Sequence, residues 1–350
     1  VFEFRVPSKC FVFGEYVAMT GGPALLYSGF PEFVCRIEAQ VFLKDSGDEK
    51  ALAESPFSLS SVGEDGLGQA TSENFLAPQS PAGRWLAQNG VSLRYWQVET
   101  PYPLGGLGRS SAEFLAAWLF VKHNRFIPLQ ERASHFDWPL EPQKAWAVWA
   151  DFRSLYENNE PLNFSEVAEN SRKKPAPSGY DVLAQSQRGW VLVEASSKKL
   201  EVFTEWPFPE LWIGFFPVGV KQATHEHLEQ LPWVDEEGEI KTPPRMSKIC
   251  EQLAQAFFNR QPDEFIEGIR EFRHELQVWG LEAPNTTAWI EKIQNLPGFV
   301  CAKGCGAMGA DFVMVVVEKA SLEGFLKDFN KAAREDGHFV NPDAGPLIVR

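Results

Sequence analysis

Pro103-Leu104-Gly105-Gly106-Leu107-Gly108-Arg109-Ser110-Ser111-Ala112 runs straight into Ser110 to His123, where Phe114, Leu115, Trp118, Leu119 and Val121 recur at helical spacing. Glycines let the backbone approach a ligand without side-chain interference. Successive amide N–H groups can then face phosphate oxygens, and the helix N-terminus adds its partial positive charge. The serine hydroxyls suit a phosphate contact or a Mg²⁺ shell. The alternative is a glycine-rich turn closed by a serine N-cap. The stretch lacks the lysine of a Walker A loop and the strand-to-ribose-acid context of a dinucleotide site, so neither of those readings applies.

Outward from this loop, the chain opens with strands. Val1 to Val6 alternates apolar and charged residues, Phe11 to Phe13 resumes after a Pro-Ser-Lys break, and Pro23 to Tyr27 and Phe33 to Leu43 follow. Asp45 to Gly83 is rich in Ser, Gly, Pro and acids and reads as loops around a short helix. Ser92 to Glu99 is a strand. Pro142 to Glu157 and Asn163 to Arg172 carry helical patterns, the second ending at Lys173-Lys174-Pro175-Ala176-Pro177. Gly189 to Glu194 and Leu211 to Pro217 read as strands, and His225 to Lys241 as an acidic, exposed excursion. Helices are expected over Arg245 to Asn259, Asp263 to Trp279 and Ser321 to Glu335. Val300 to Ala302, Phe312 to Val317 and Phe339 to Arg350 suggest a second sheet. With no internal repeat, a boundary near residue 190 divides the chain into domains 1–190 and 191–350.

Composition narrows the function classes. The 350 residues suffice for two domains, and 44% hydrophobic residues with 28 Phe and 12 Trp argue against global disorder. A formal charge of -14 disfavours nucleic acid and anionic lipid as partners, so an anionic ligand needs a local constellation. Apolar runs such as Phe312 to Val317 are far shorter than the roughly 20 residues that cross a bilayer, and the first residues lack a cationic region followed by a long apolar one. The odd, scattered set Cys10, Cys35, Cys250, Cys301 and Cys305 fits reduced thiols and a cytoplasmic location. Cys301 and Cys305 have no His or second Cys pair to complete a zinc site.

Four segments, in order along nearly the whole chain, resemble the motifs of the galactokinase, homoserine kinase, mevalonate kinase and phosphomevalonate kinase (GHMP kinase) superfamily. Pro7-Ser8-Lys9-Cys10-Phe11-Val12-Phe13-Gly14-Glu15-Tyr16-Val17 resembles its N-terminal motif. The glycine-rich stretch quoted first resembles its phosphate loop, and Lys303-Gly304-Cys305-Gly306-Ala307-Met308-Gly309-Ala310-Asp311 its C-terminal glycine-rich motif. Pro177-Ser178-Gly179-Tyr180-Asp181 is similar to the segment that supplies the catalytic aspartate in the mevalonate branches.

The resemblance implies an α+β fold of two domains with an ATP site in the cleft between them, and a kinase acting on a soluble small molecule as a monomer or homodimer. It implies ATP contacts at Gly105, Gly106, Leu107, Gly108, Arg109, Ser110 and Ser111, with Asp181 and Lys9 as the catalytic pair. Glu15, Tyr16, Ser178, Gly179, Lys303, Gly306 and Ala307 are placed around the acceptor. Mg²⁺ falls to Ser110 and Glu169. Such a set makes chemical sense, because moving a γ-phosphoryl group to an alcohol needs a carboxylate at the hydroxyl and cations for the developing charge. The plain alternatives are a turn-closing Asp181, an exposed Lys9 at a strand break, strand-end packing at Glu15 and Tyr16, and a solvated helix face at Glu169. Arg109, where the family has the first of two serines, and Met308 and Ala310, where it has glycines, depart from the pattern.

The acceptor is read in two directions. The gapless spacing from Gly14-Glu15 to Gly22-Pro23-Ala24 and the modest length resemble mevalonate kinase. Tyr16, Asp311 and Gly345-Pro346-Leu347 resemble phosphomevalonate kinase. Mevalonate is the favoured acceptor. Asp343-Ala344-Gly345-Pro346 resembles a segment of diphosphomevalonate decarboxylase but stands at the wrong end of the chain. A non-catalytic ATP-binding relative is the remaining alternative.

Overall fold

A computed structural model describes residues 1–41, 72–73, 76–100, 107–124, 138–157, 176–217, 231, 233, 240–306, 312–336 and 347–348. The chain forms two compact units. The first comprises Val1–Lys9, Pro31–Glu160 and Gly179–Arg188, and the second Cys10–Phe30, Pro161–Ser178 and Gly189–Arg350.

In the first unit, the period-2 pattern of Phe33, Cys35 and Ile37 buries one face of β2 (Ala24–Val41). This part of β2 pairs antiparallel with β4 (Val91–Glu99), from Val34 opposite Glu99 to Val41 opposite Val91, with a register shift at Glu38/Ala39. The short β3 (Ser72–Glu73) adds to β4. Helix α1 (Pro81–Gln88) starts where Ser80 Oγ accepts the Gly83 N–H at 3.1 Å, with Pro81 in the first turn. Helix α2 (Arg109–Asn124) is buried almost all round from Ser111 to Val121, as an internal helix must be when it is apolar on every face. Helix α3 (Pro142–Glu157) buries the stripe Ala145, Val148, Phe152 and Leu155, and Trp118 Nε1 of α2 donates to Asp151 Oδ2 of α3 at 2.8 Å. The six-residue α4 (Tyr180–Gln185) completes the unit.

β1 (Phe2–Phe13) is one continuous strand. The break expected at Pro7-Ser8-Lys9 is absent because tertiary partners take the backbone groups there: Pro7 O accepts from Gln185 Nε2 at 2.7 Å, and Lys9 N–H donates to Leu107 O at 3.0 Å. The two strands expected before residue 43 are likewise one, β2.

In the second unit the first part of β2 pairs with β5 (Gly189–Glu194), which makes a hairpin with β6 (Lys199–Phe203). A separate antiparallel sheet has the order β10 (Leu347–Ile348), β7 (Leu211–Pro217), β9 (Phe312–Glu318), β8 (Phe299–Cys305). Helices α5 (Pro244–Phe258), α6 (Pro262–Val278), α7 (Pro284–Ile293) and α8 (Leu322–Asp336) accompany these strands. Val313, Val315 and Val317 of β9 pack with Trp289, Ile290 and Ile293 of α7 and with Phe325 and Phe329 of α8. Met314 and Val316, on the opposite face, are buried too. A strand covered on both faces reads as the unbroken apolar run Phe312 to Val317, without alternation.

The helix expected over Asn163 to Arg172 and most of Phe339 to Arg350 lie outside the described residues, as does most of the acidic excursion at 225–241. All five cysteines are buried free thiols. Among the described residues no helix is long and apolar enough to cross a membrane.

The turn between α6 and α7 is held by Glu282, whose carboxylate accepts from Arg273 Nε at 2.8 Å, Arg273 Nη2 at 2.9 Å, Gln277 Nε2 at 2.9 Å and Thr287 Oγ1 at 2.8 Å. Burial pushes its pKa up, but the Arg273 guanidinium and the other donors outweigh this and hold it below the usual 4.5. A carboxylate with a depressed folded-state pKa stabilises above its unfolded value and loses that contribution as pH falls through the folded value. Glu282→Ala is therefore expected to cost about 3 kcal/mol at pH 7. The gap from wild type should narrow in denaturant melts taken progressively below pH 4.5. A gap that stays constant down to pH 3 contradicts this assignment.

Candidate functional site

The centre of the first unit's site is an ion pair. Lys9 Nζ lies 2.9 Å from Asp181 Oδ1, with 9% of the lysine side chain and 36% of the aspartate side chain exposed. The ammonium is thus nearly dry while the carboxylate keeps one side open. A lysine so enclosed needs a carboxylate nearby, and the pairing in turn fixes where Asp181 points.

Three backbone features place the pair. Lys9 N–H is bonded to Leu107 O, which ties β1 to the glycine-rich loop. Gly108 has φ +87°, and a Cβ there would meet Lys9 Cγ at 2.9 Å, Gln185 Nε2 at 3.0 Å and Gln185 Cδ at 3.1 Å. Both conformation and space therefore demand glycine. Gln185, buried at the end of α4, bonds Pro7 O and so anchors the Asp181 helix to the strand that carries Lys9.

The start of α2 divides the two serines. Ser111 is buried, and its hydroxyl donates to Gly108 O at 2.9 Å, while Ala112 N–H donates to the same carbonyl at 2.9 Å. Ser110 is exposed in the first turn. Arg109 is the first residue of α2 and its Nε donates to Glu113 Oε1 at 2.9 Å, an i,i+4 pair that holds the guanidinium along the helix. No acidic residue stands in the first turn of α2. That end of the helix dipole is left without local neutralisation by a first-turn carboxylate, which suits an anion. Gly105 and Gly106 lie outside the described residues.

Gly179 precedes α4 with φ +74°, and Asp181 follows in the helix's first turn. Ser178 is half-buried. Glu169 lies outside the described residues, and among those described no three His, Cys, Asp or Glu side chains gather as a metal cluster. Ser110, exposed in the first turn of α2, suits a phosphate-bound Mg²⁺, which takes few protein ligands and keeps several waters.

In the second unit, two residues expected at the acceptor are paired with each other. Lys303 Nζ lies 2.8 Å from Glu15 Oε1, with 0% and 8% of the side chains exposed. The ammonium also lies 3.8 Å from Cys305 Sγ and 5.8 Å from the centre of the Phe272 ring. Burial pushes the Lys303 pKa down, but Cys305 and Glu15 overcome that and hold it above the usual 10.5. Tyr16 is buried with its ring edge-on to Trp233, centroids 6.2 Å apart. Gly306 adopts φ +90°, and Ala307 lies outside the described residues.

Sequence reasoning did not pick out Gln185, Trp149 or Phe152. Gln185 has no motif around it, and its role follows only from the contact with Pro7. The two aromatics stand out as large residues of an expected helix, but nothing in the sequence sets them against Gly179.

No family model matches this sequence, and no curated protein matches it by sequence. Solved structures do match. Methanococcus jannaschii mevalonate kinase superposes with a TM-score of 0.56 at 12% identity, covering 94% of this chain and 95% of that one. Lactococcus lactis galactokinase complexed with galactose gives 0.60 at 12%, covering 97% and 91%. Streptococcus pneumoniae phosphomevalonate kinase in complex with phosphomevalonate and AMPPNP gives 0.58 at 12%, covering 100% and 99%. The chain has the GHMP kinase fold over nearly its whole length.

Proposed function

We propose that this chain is an ATP-dependent small-molecule kinase with mevalonate as its acceptor. The observation that carries the proposal is the Lys9–Asp181 pair, 2.9 Å apart and strapped through Leu107 to a glycine-rich loop that opens a helix. A fold shared with kinases supports it.

In this reading the amides of Gly105 to Ser111 seat the phosphates of ATP. Asp181 accepts the proton of the acceptor's primary hydroxyl as its oxygen bonds to the γ-phosphorus. The bond from that phosphorus to the β–γ bridging oxygen breaks, and ADP leaves with the electron pair. Lys9 orients Asp181 for this task and offsets charge that develops on the phosphoryl oxygens. Mg²⁺, held by Ser110 and Glu169, would supply further charge neutralisation when bound.

The spacing from Gly14-Glu15 to Gly22-Pro23-Ala24 favours mevalonate, whereas Tyr16, Asp311 and Gly345-Pro346-Leu347 favour phosphomevalonate as the second reading. ADP release from MgATP, measured against mevalonate, phosphomevalonate, diphosphomevalonate, galactose and homoserine, separates them. Turnover with mevalonate above the rest is the expected result. CO₂ release from diphosphomevalonate selects a decarboxylase, and ATP binding without turnover on any acceptor selects a non-catalytic relative.

A further inference from the structure

The site described so far contains a base, a cation and a phosphate loop, but no surface for the carbon body of the acceptor. Helix α3 presents one. Its core stripe is Ala145, Val148, Phe152 and Leu155, all buried. Beside that stripe, at i, i+3 and i+7, stand Trp146, Trp149 and Arg153, all half-buried. The Trp146 and Trp149 rings meet edge to face with centroids 5.4 Å apart, and the Arg153 guanidinium lies 5.9 Å from the Trp149 ring centre. These contacts limit the motion of the indole.

Trp149 is also tied to the reacting end of the site. A Cβ on Gly179 would meet Trp149 Cδ1 at 2.9 Å, Trp149 Nε1 at 3.0 Å and Phe152 Cδ1 at 3.1 Å. The pyrrole edge of the indole therefore lies against the backbone two residues before Asp181, which puts the Asp181 Cα within about 7.6 Å of the Gly179 Cα. Gly179 O accepts the N–H groups of Val182 and Leu183 at 3.0 and 3.2 Å, so this short stretch has a fixed course. A large, half-exposed aromatic fixed against the turn that leads into a half-exposed carboxylate has the makeup of a small-molecule wall: apolar surface for the body, one polar group for the reacting atom.

We propose that Trp149 is a specificity-determining residue, the wall that receives the apolar face of the acceptor while Asp181 engages its hydroxyl. The inference rests on the kinase reading above and deepens it by naming the residue that recognises the acceptor's carbon body. The preferred acceptor is a short-chain alcohol with a methyl-branched carbon near the reacting hydroxyl, and a linear analogue is disfavoured.

The test compares mevalonate with 3,5-dihydroxypentanoate, which lacks only the branching methyl. In wild type, kcat/KM for mevalonate is expected to exceed that for the linear acid by about tenfold, the lower end of what one such group is worth in an apolar pocket. Trp149→Ala should bring the ratio close to one and raise the KM for mevalonate by about tenfold, with the KM for ATP unmoved. Trp149→Phe, which keeps an aromatic plane, should recover most of the discrimination even if the alanine variant folds poorly. An unchanged ratio in both variants overturns the proposal, and so does a parallel rise in the KM values for ATP and acceptor. Wild-type turnover with a ratio insensitive to Trp149 defeats this inference alone. Wild-type inactivity on both acids defeats the kinase reading and this inference with it.

Discussion

Asp181→Asn should lower kcat by about a thousandfold, within the range of 10²–10⁴ typical of a positioned acid–base group, while the KM for ATP moves less than about threefold. Asparagine keeps the shape of the side chain but can neither take a proton nor balance the charge of Lys9, 2.9 Å away. ATP affinity should be spared because the glycine-rich loop is held by its own bonds, Lys9 N–H to Leu107 O and Ser111 Oγ to Gly108 O. Some loss of stability is expected as well, because asparagine takes the Asp181 charge away from a Lys9 ammonium whose side chain is only 9% exposed. Steady-state kinetics with both substrates varied, alongside a thermal melt, decide the matter. Near-normal turnover means that Asp181 is not the base, and a large rise in the ATP KM means that the pair serves the nucleotide instead.

Lys303→Met is expected to be the most damaging single change to stability, costing about 3–5 kcal/mol. It leaves the Glu15 carboxylate, of which 8% is exposed, without the ammonium that balances it. Removing both charges should hurt less than removing one. The double variant Lys303→Met/Glu15→Gln is expected to regain much of the loss, and a double-mutant cycle in urea measures the coupling. The sign with pH follows from the raised Lys303 pKa. Its stabilising contribution is present below the unfolded value of 10.5 and fades only as pH rises past that point. Strict additivity of the two single changes contradicts a coupled pair.

The same pair bears on how the acceptor is held. The resemblance implies that Glu15 and Lys303 line the acceptor site, yet in the structure each is the other's counter-ion and the lysine has no exposed surface. Their geometry fixes the end of β1 to β8. Among the described candidate residues, Ser110 is exposed and Asp181 keeps 36% of its side chain open, both in the first unit.

What was legible in the sequence divides along physical lines. Pro142 to Glu157, Gly189 to Glu194 and Leu211 to Pro217 match their elements end to end, because each carries a strong local period or apolar run between clear breakers. Local signals misled where tertiary contacts decide. Pro7-Ser8-Lys9 reads as a break, but Gln185 and Leu107 complete the backbone bonds of a continuous strand. Helix α7 was not expected at all; it starts with proline at its first position. α4 is too short for a periodic pattern, and β6 is a five-residue hairpin arm reached through Lys198 at φ 53°.

The candidate residues stand out by motif and not by period. Lys9, Gly108 and Asp181 lie far apart in sequence, and no local property of any one of them announces the others. Gln185 and Trp149 could be found only once the backbone had brought α4 to β1 and α3 to Gly179.

The most direct test of the kinase reading is to follow the γ-phosphoryl group itself. Protein incubated with γ-labelled ATP, Mg²⁺ and mevalonate should place the label on the primary hydroxyl of mevalonate, one labelled product for each ADP formed, with the Asp181→Asn variant nearly silent in the same assay. ATP consumption that yields only labelled inorganic phosphate, or equal label transfer by wild type and the Asp181→Asn variant, would contradict it.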